Sequence, residues 1–165
     1  MNEKELLTKK FIKVSMNDVQ ISTDDKPIIG TDSLATCTGV LLYSEIKKRA
    51  IVAHVACETK NIFYRSLELA YKNGFNDAFI KYKIIPGYYF NHYETKKELD
   101  SLYGSIPNLL IPFDEKDIPE DAIIKDEKTP SLKFAFDASS GKFVTDKVCF
   151  GKEYIDINEN NISTK

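Results

Sequence analysis

Histidine occurs only twice in this 165-residue chain, cysteine three times and tryptophan not at all, and these scarcities close several classes of function. Cys37, Cys57 and Cys149 are odd in number and far apart in sequence, so a disulfide framework would strand one of them, and a reducing compartment is the simpler setting. No C-x-x-C spacing joins them, and His54 and His92 are the only imidazoles, so a structural zinc site lacks ligands; no metal and no cofactor is expected. Neither sign of charge prevails: 23 basic against 25 acidic residues leave a formal charge of −2, which gives no reason to expect a nucleic-acid partner. Long apolar runs are absent as well. Nothing approaches the stretch of about 18 apolar residues that a membrane helix needs. Met1 to Lys10 is polar and charged without an apolar signal core, so a soluble, uncleaved chain is expected.

What is present suits one globular domain held by hydrophobic burial. The domain is expected over residues 1–150, followed by a polar, Asn-rich tail over residues 151–165. Alternation from Lys9 to Met16 predicts a short strand, and the Asp-Asp-Lys-Pro signature within Asn17 to Gly30 predicts a loop. Leu34 to Tyr43 and Arg49 to Cys57 predict two strands, joined antiparallel by the polar stretch Ser44 to Lys48. Phe63, Leu67 and Ala70 share one helical face, with Gly74 placed to end the helix. Asp77 to Ile85 reads as a strand closed by Pro86-Gly87, and Thr95 to Glu98 as a capping box opening a second helix that turns Leu99, Leu102 and Tyr103 inward and exits at Gly104. Asn108 to Phe113 reads as a buried strand. Leu132 to Ala138 and Lys142 to Lys147 flank Ser139-Ser140-Gly141 as a hairpin. Asp114 to Pro130, charged and broken by prolines, is long enough to be a lid. The fold class is α/β of the α+β sandwich type: a largely antiparallel mixed sheet carrying Cys37 and His54, with both helices covering its other face.

If the two early strands form a hairpin, Cys37 and His54 fall at or near facing positions, where cross-strand Cβ atoms lie about 5 Å apart. An imidazole at that distance can take the thiol proton and leave a thiolate able to attack a carbonyl carbon. A buried, inert cysteine and a core histidine satisfied by backbone would occupy the same strands equally well.

The run Gly30-Thr31-Asp32-Ser33-Leu34-Ala35-Thr36-Cys37, with sixteen residues between Cys37 and His54, resembles the T-x5-C-x16-H arrangement of the chemoreceptor glutamine deamidases. Its Gly-Thr-Asp and Ala-Thr-Cys portions also look like the start of the catalytic motif of protein N-terminal asparagine amidohydrolases, and a related Thr, Cys, His set occurs in deamidase toxins of the cytotoxic necrotising factor type. The likeness to the chemoreceptor deamidases spans Thr31 to Val148 in the order of elements. It departs at Ala35-Thr36 before the cysteine, where that family has Gly-Ser. It departs again around His54, which lacks a preceding Gly-Gly and is followed by Val55-Ala56-Cys57.

The resemblance implies a protein deamidase with Cys37 as nucleophile, His54 as base and Thr31 as third member, its hydroxyl orienting either the imidazole or the thiolate. Thr31 as a turn-forming or capping hydroxyl is the plain alternative. Asp32 is a candidate for pairing with a substrate α-ammonium, and Tyr88, Tyr89 and Phe90 for an aromatic rim around the substrate. His92 reads as solvated near a helix start, and Cys57 and Cys149 as buried thiols. The expected partner is a protein substrate: a chemoreceptor, a protein with N-terminal asparagine or a host regulatory protein. The alternatives are a binding module of the same fold, or acyl transfer to an amine. The expected location is cytoplasmic, with secretion as an effector lacking a signal peptide as the other possibility.

Overall fold

A computed structural model describes residues 10–75, 80–89, 93–106 and 110–145. Phe90, His92, Cys149 and the tail over residues 151–165 lie outside the described residues. In chain order the strands are β1 (Phe11–Lys13), β2 (Val19–Ile21), β3 (Ile28–Leu34), β4 (Thr38–Ser44) and β5 (Arg49–Val55), then helix α1 (Thr59–Lys72), β6 (Ile80–Pro86), helix α2 (Tyr93–Gly104) and β7 (Leu110–Pro112). A short 3₁₀ turn over Glu115–Asp117 leads to β8 (Ile124–Asp126), β9 (Ser131–Asp137) and β10 (Lys142–Phe143).

All seven residues of β4 are buried, so the strand needs cover on both faces. It lies at the centre of a sheet ordered β2-β5-β4-β6-β7. One face of that sheet packs on a second sheet, in which β3 joins β1 in parallel and β9 antiparallel, while β8 and β10 pair with β9. Leu41, Tyr43, Val52 and Ile85 from the central sheet meet Ile29, Leu34, Phe134 and Phe136 from the other in this inter-sheet core. The opposite face, with Val40, Leu42, Ile51, Ala53 and Ile84, packs under Ile62, Phe63 and Ala70 of α1 and Leu99 and Tyr103 of α2. The architecture is α+β, two mixed sheets with covering helices. No helix among the described residues is long and apolar enough to cross a membrane.

Several local expectations are met. The β4–β5 hairpin forms, α1 buries Phe63 and Ala70, Gly74 follows the helix with φ +78°, and Gly141 turns the late hairpin with φ +71°. Others are corrected. Residues 17–30 are not one loop: β2 lies within them and pairs with β5, and β3 begins at Ile28. α2 opens at Tyr93, two residues before Thr95. The stretch from Asp114 to Pro130 is not a free lid, because β8 within it is hydrogen-bonded along β9. There are two sheets rather than one. The chain crosses between them in the bend Ala35–Cys37, so Leu34 to Tyr43 is not a continuous strand.

Candidate functional site

β3 must turn both Thr31 and Leu34 into the inter-sheet layer, yet an uninterrupted strand would send residues three apart to opposite faces. Ser33 resolves the conflict. It adopts φ +57°, and the β3–β9 register shifts between Thr31 and Leu34, the mark of a bulge that re-aims the chain. Thr31 is thereby fully buried, with Oγ1 2.7 Å from the carbonyl oxygen of Val14 and 2.7 Å from Nδ1 of His54.

Val14 and His54 come from separate strand systems. The Val14 N–H donates to the Gly30 carbonyl, extending the β1–β3 pairing by one residue. His54 lies in β5, opposite Gly39 of β4, on the face that meets the other sheet. Glycine is required at position 39: a Cβ there would approach Phe134 Cε1 to 2.9 Å and Leu34 Cδ1 to 3.1 Å.

The bonding pattern fixes the imidazole tautomer. A threonine hydroxyl has one proton, and at 2.7 Å from a carbonyl that proton goes to Val14. Thr31 Oγ1 must therefore accept from His54, which makes Nδ1 the protonated nitrogen and leaves the lone pair on Nε2. Nε2 is buried and has no hydrogen-bond partner among the described residues. Burial pushes the His54 pKa below the ordinary histidine value; Asp32 opposes that shift and Lys13 adds to it.

Cys37 does not face His54 directly, since Gly39 takes that register position. Cys37 lies two residues before Gly39, in the bend just ahead of β4, and is buried in the inter-sheet cluster with the residue 5% exposed. The partly exposed thiol expected of a catalytic cysteine is thus a nearly covered one. Burial raises its pKa; a hydrogen bond from Thr36 works against that rise, and a nearby Cys57 adds to it. Both shifts favour the neutral form of their own group, thiol and imidazole alike.

The Cys37 bend is clamped from the side of β6. The Tyr88 N–H donates to Leu34 O at 2.8 Å and the Tyr89 N–H to Ala35 O at 3.1 Å. Gly87 permits this approach, because a Cβ there would lie 2.5 Å from the Cys37 carbonyl oxygen. The two tyrosines therefore stand over the bend, ring centroids 5.2 Å apart, with Tyr89 41% exposed. Tyr88 OH donates to Glu127 at 3.1 Å, and Lys125 lies 5.3 Å from the Tyr88 ring centroid. This ties the β8 segment to the rim. Asp32 pairs with Lys13 at 3.5 Å.

No protein-family model matches the chain, and no curated protein matches it in sequence.

The structure thus brings Thr31 and His54 into contact, buries Cys37 in the inter-sheet cluster just ahead of β4, and docks the backbone of Tyr88 and Tyr89 on the bend. Cys57 is not a buried thiol: β5 ends at Val55, and the residue emerges into solvent. Among the described residues no three His, Cys, Asp or Glu side chains gather as a metal site. Sequence reading missed Asn17, which takes φ +57°, accepts from the N–H groups of Ala56 and Cys57 at 3.0 and 3.1 Å, and donates to Cys57 Sγ at 3.3 Å. The only sign of it was an Asn-Asp pair, a common turn element.

Proposed function

We propose that the protein is a cysteine-dependent amidohydrolase that converts a glutamine or asparagine side-chain amide of a protein substrate to the acid and releases ammonia. The observation that carries this reading is the buried Nε2 of His54, unpartnered among the described residues and on the inter-sheet side where Cys37 is also buried, while Thr31 takes up the other ring nitrogen and gives its own proton to Val14. Most buried polar side-chain atoms are hydrogen-bonded, and among the described residues Nε2 shares its unpartnered state only with Thr38 Oγ1. Here the nitrogen left over is the one with the lone pair.

In the proposed reaction Nε2 takes the Cys37 proton as sulfur bonds to the carboxamide carbon, and the carbonyl electrons move to oxygen, stabilised by backbone N–H groups beside Cys37. Collapse of this intermediate breaks the carbon–nitrogen bond. The imidazolium protonates the departing nitrogen as ammonia and leaves a thioester on Cys37. His54 then deprotonates a water that attacks the thioester, and the sulfur leaves and regains its proton from the imidazolium. Amide and water have become acid and ammonia. The Tyr88 and Tyr89 rings supply an apolar edge along which the methylene arm of the side chain can lie.

An internal glutamine is the preferred substrate. The carboxylate of Asp32, which would otherwise be placed to receive an N-terminal α-ammonium, is already engaged by Lys13. A second reading, a non-catalytic binding module of the same fold, draws on the near-complete burial of Cys37.

Haloacetamide labelling with peptide mapping separates the two readings. A catalytic site predicts Cys37 alkylation near neutral pH that depends on His54, together with ammonia release from a peptide bearing an internal glutamine. Alkylation of Cys57 alone, with no ammonia released, supports the binding module. Turnover confined to an N-terminal asparagine peptide, lost when its amine is acetylated, would reverse the substrate preference.

A further inference from the structure

The last paired residues at this end of the β4–β5 hairpin are Thr38 and Val55. Cys37 precedes the first by one position and Cys57 follows the second by two, so continuing that register by one residue would set Cys37 across from Ala56 and beside Cys57. Positions one step off register across an antiparallel pair have Cα atoms about 6 Å apart, within the roughly 4.4–6.8 Å that a disulfide spans. Both cysteines sit in bends outside the strands, so neither side chain is bound to the strand alternation that would send them to opposite faces. Charge on Cys57 also disfavours charge on Cys37, in keeping with their place at one end of the hairpin.

The two thiols differ in access. Cys57 is exposed and Cys37 is 5% exposed. The Cys57 backbone is held by Asn17 rather than by β4, and its sulfur receives the Asn17 amide at 3.3 Å, a weak bond that a side-chain rotation can exchange for another partner.

We propose that Cys57 is a redox modification site: peroxide oxidises its exposed thiol first, and Cys37 then closes a disulfide with it, masking the nucleophile reversibly. In the first step the Cys57 thiol and hydrogen peroxide give a sulfenic acid and water. In the second, His54 takes the Cys37 proton, the Cys37 sulfur attacks the Cys57 sulfur, and hydroxide leaves and is protonated to water. Peroxide is the two-electron oxidant, and a thiol reductant restores both cysteines. The site is thereby shielded from over-oxidation of Cys37, which is irreversible beyond the sulfenic stage. The direction of the second step rests on the reading of Cys37 and His54 as an activated pair.

The test exposes the full chain, and a Cys149→Ser variant, to hydrogen peroxide, blocks remaining thiols with iodoacetamide and maps peptides without reduction. The expected result in both is a Cys37–Cys57 linked peptide and a more than about tenfold loss of Cys37 alkylation, restored by dithiothreitol. Cys37→Ser should leave Cys57 as a sulfenic acid that dimedone captures, and Cys57→Ser should leave Cys37 alkylable after the same brief exposure. Absence of the linked peptide, or linkage of Cys37 only to Cys149 in the full chain, overturns the proposal. His54→Ala reports separately on the activated pair: it should slow closure without preventing it. Closure at an unchanged rate would leave the disulfide standing while removing the support for His54 as the base of Cys37.

Discussion

Two buried pairs in this molecule share one design. In the helical layer Tyr103 OH lies 2.7 Å from Ser66 Oγ, and Ser66 donates to the Phe63 carbonyl at 2.7 Å; Ser66 has spent its proton, so Tyr103 donates to it. In the inter-sheet layer His54 donates to Thr31, and Thr31 donates to the Val14 carbonyl. Each is a relay from an aromatic side chain through a hydroxyl to a backbone oxygen. They differ at the far end. The donor of Tyr103 is used, and burial drives its pKa far above the ordinary tyrosine value, so it stays a neutral packing group. His54 keeps a second ring nitrogen, which carries a lone pair and lies buried without a partner among the described residues, and Cys37 is buried in the same inter-sheet layer. One relay completes a core, and the other leaves the lone pair that the proposed reaction uses as its base.

The severest way to break this comparison is His54→Ala, with Cys37→Ala as its companion. Loss of the general base should lower amide hydrolysis by about 10²–10⁴-fold. It should also slow Cys37 alkylation near neutral pH, with recovery in alkali where the thiol ionises unaided. Cys37→Ala should abolish hydrolysis. Because the residue belongs to the inter-sheet cluster, that variant should also lose about 1 kcal/mol of stability in chemical denaturation. An alkylation profile of Cys37 that ignores His54 at every pH would reduce the second relay to the status of the first.

Thr31→Val is the next strongest. It removes the acceptor that fixes the imidazole and leaves both Nδ1–H and the Val14 carbonyl unpaired, costing about 1–3 kcal/mol. Activity should fall about 10–100-fold, as it does when other histidines lose the partner that sets their tautomer. Thr31→Ser keeps the hydroxyl and should recover most of the rate. If Ser and Val behave alike in hydrolysis and differ only in stability, the hydroxyl is structural. Tyr103→Phe makes the complementary measurement: it should cost about 1 kcal/mol in denaturation and leave the rate of Cys37 alkylation unchanged, since that relay ends in the helical layer.

The two relays were unequally legible in sequence. The spacing of Thr31, Cys37 and His54 can be read directly, and alternation gives the β4–β5 hairpin that carries the histidine. The place of Cys37 outside the ladder, with Gly39 opposite His54 instead, cannot be read, because it depends on Thr38 being the first residue of β4 and on the bend before it. Nor does a serine at position 33 announce a left-handed conformation; the core needs both Thr31 and Leu34 inside and thereby imposes it. The parallel pairing of β1 with β3, which delivers the Val14 carbonyl, is a non-local contact between two short segments of similar pattern. Cys57 was misjudged because Ile51 to Cys57 is apolar apart from His54, whereas the ladder that would bury it stops two residues earlier. The division into two sheets escaped for a related reason: alternation shows that a strand has an inner face but not which sheet it joins.

The smallest predicted effect concerns the charges beside the imidazole. Burial holds the His54 pKa below the 6.5 or so of a free histidine, with Asp32 pulling it back up and Lys13 pressing it further down. In the proposed reaction the neutral imidazole is the active form, so the acidic limb of kcat/KM should fall below about pH 6.5. Asp32→Asn removes the group that favours the imidazolium and should move that limb to lower pH, while Lys13→Gln should move it higher. Stability must follow the opposite course. The unfolded chain binds the histidine proton more readily than the folded protein, so stability contributed by neutral His54 is lost as pH falls from about 6.5 toward the depressed folded value. Asp32→Asn lowers the folded value further and extends that loss to more acid conditions. The variant should therefore keep its activity to lower pH while gaining a steeper acid dependence of denaturation. Both shifts should be fractions of a pH unit, because Asp32 and Lys13 are partly solvated and salt-bridged to each other. An acidic limb that stays in place in both variants would mean that the group titrating in the pH profile is not His54.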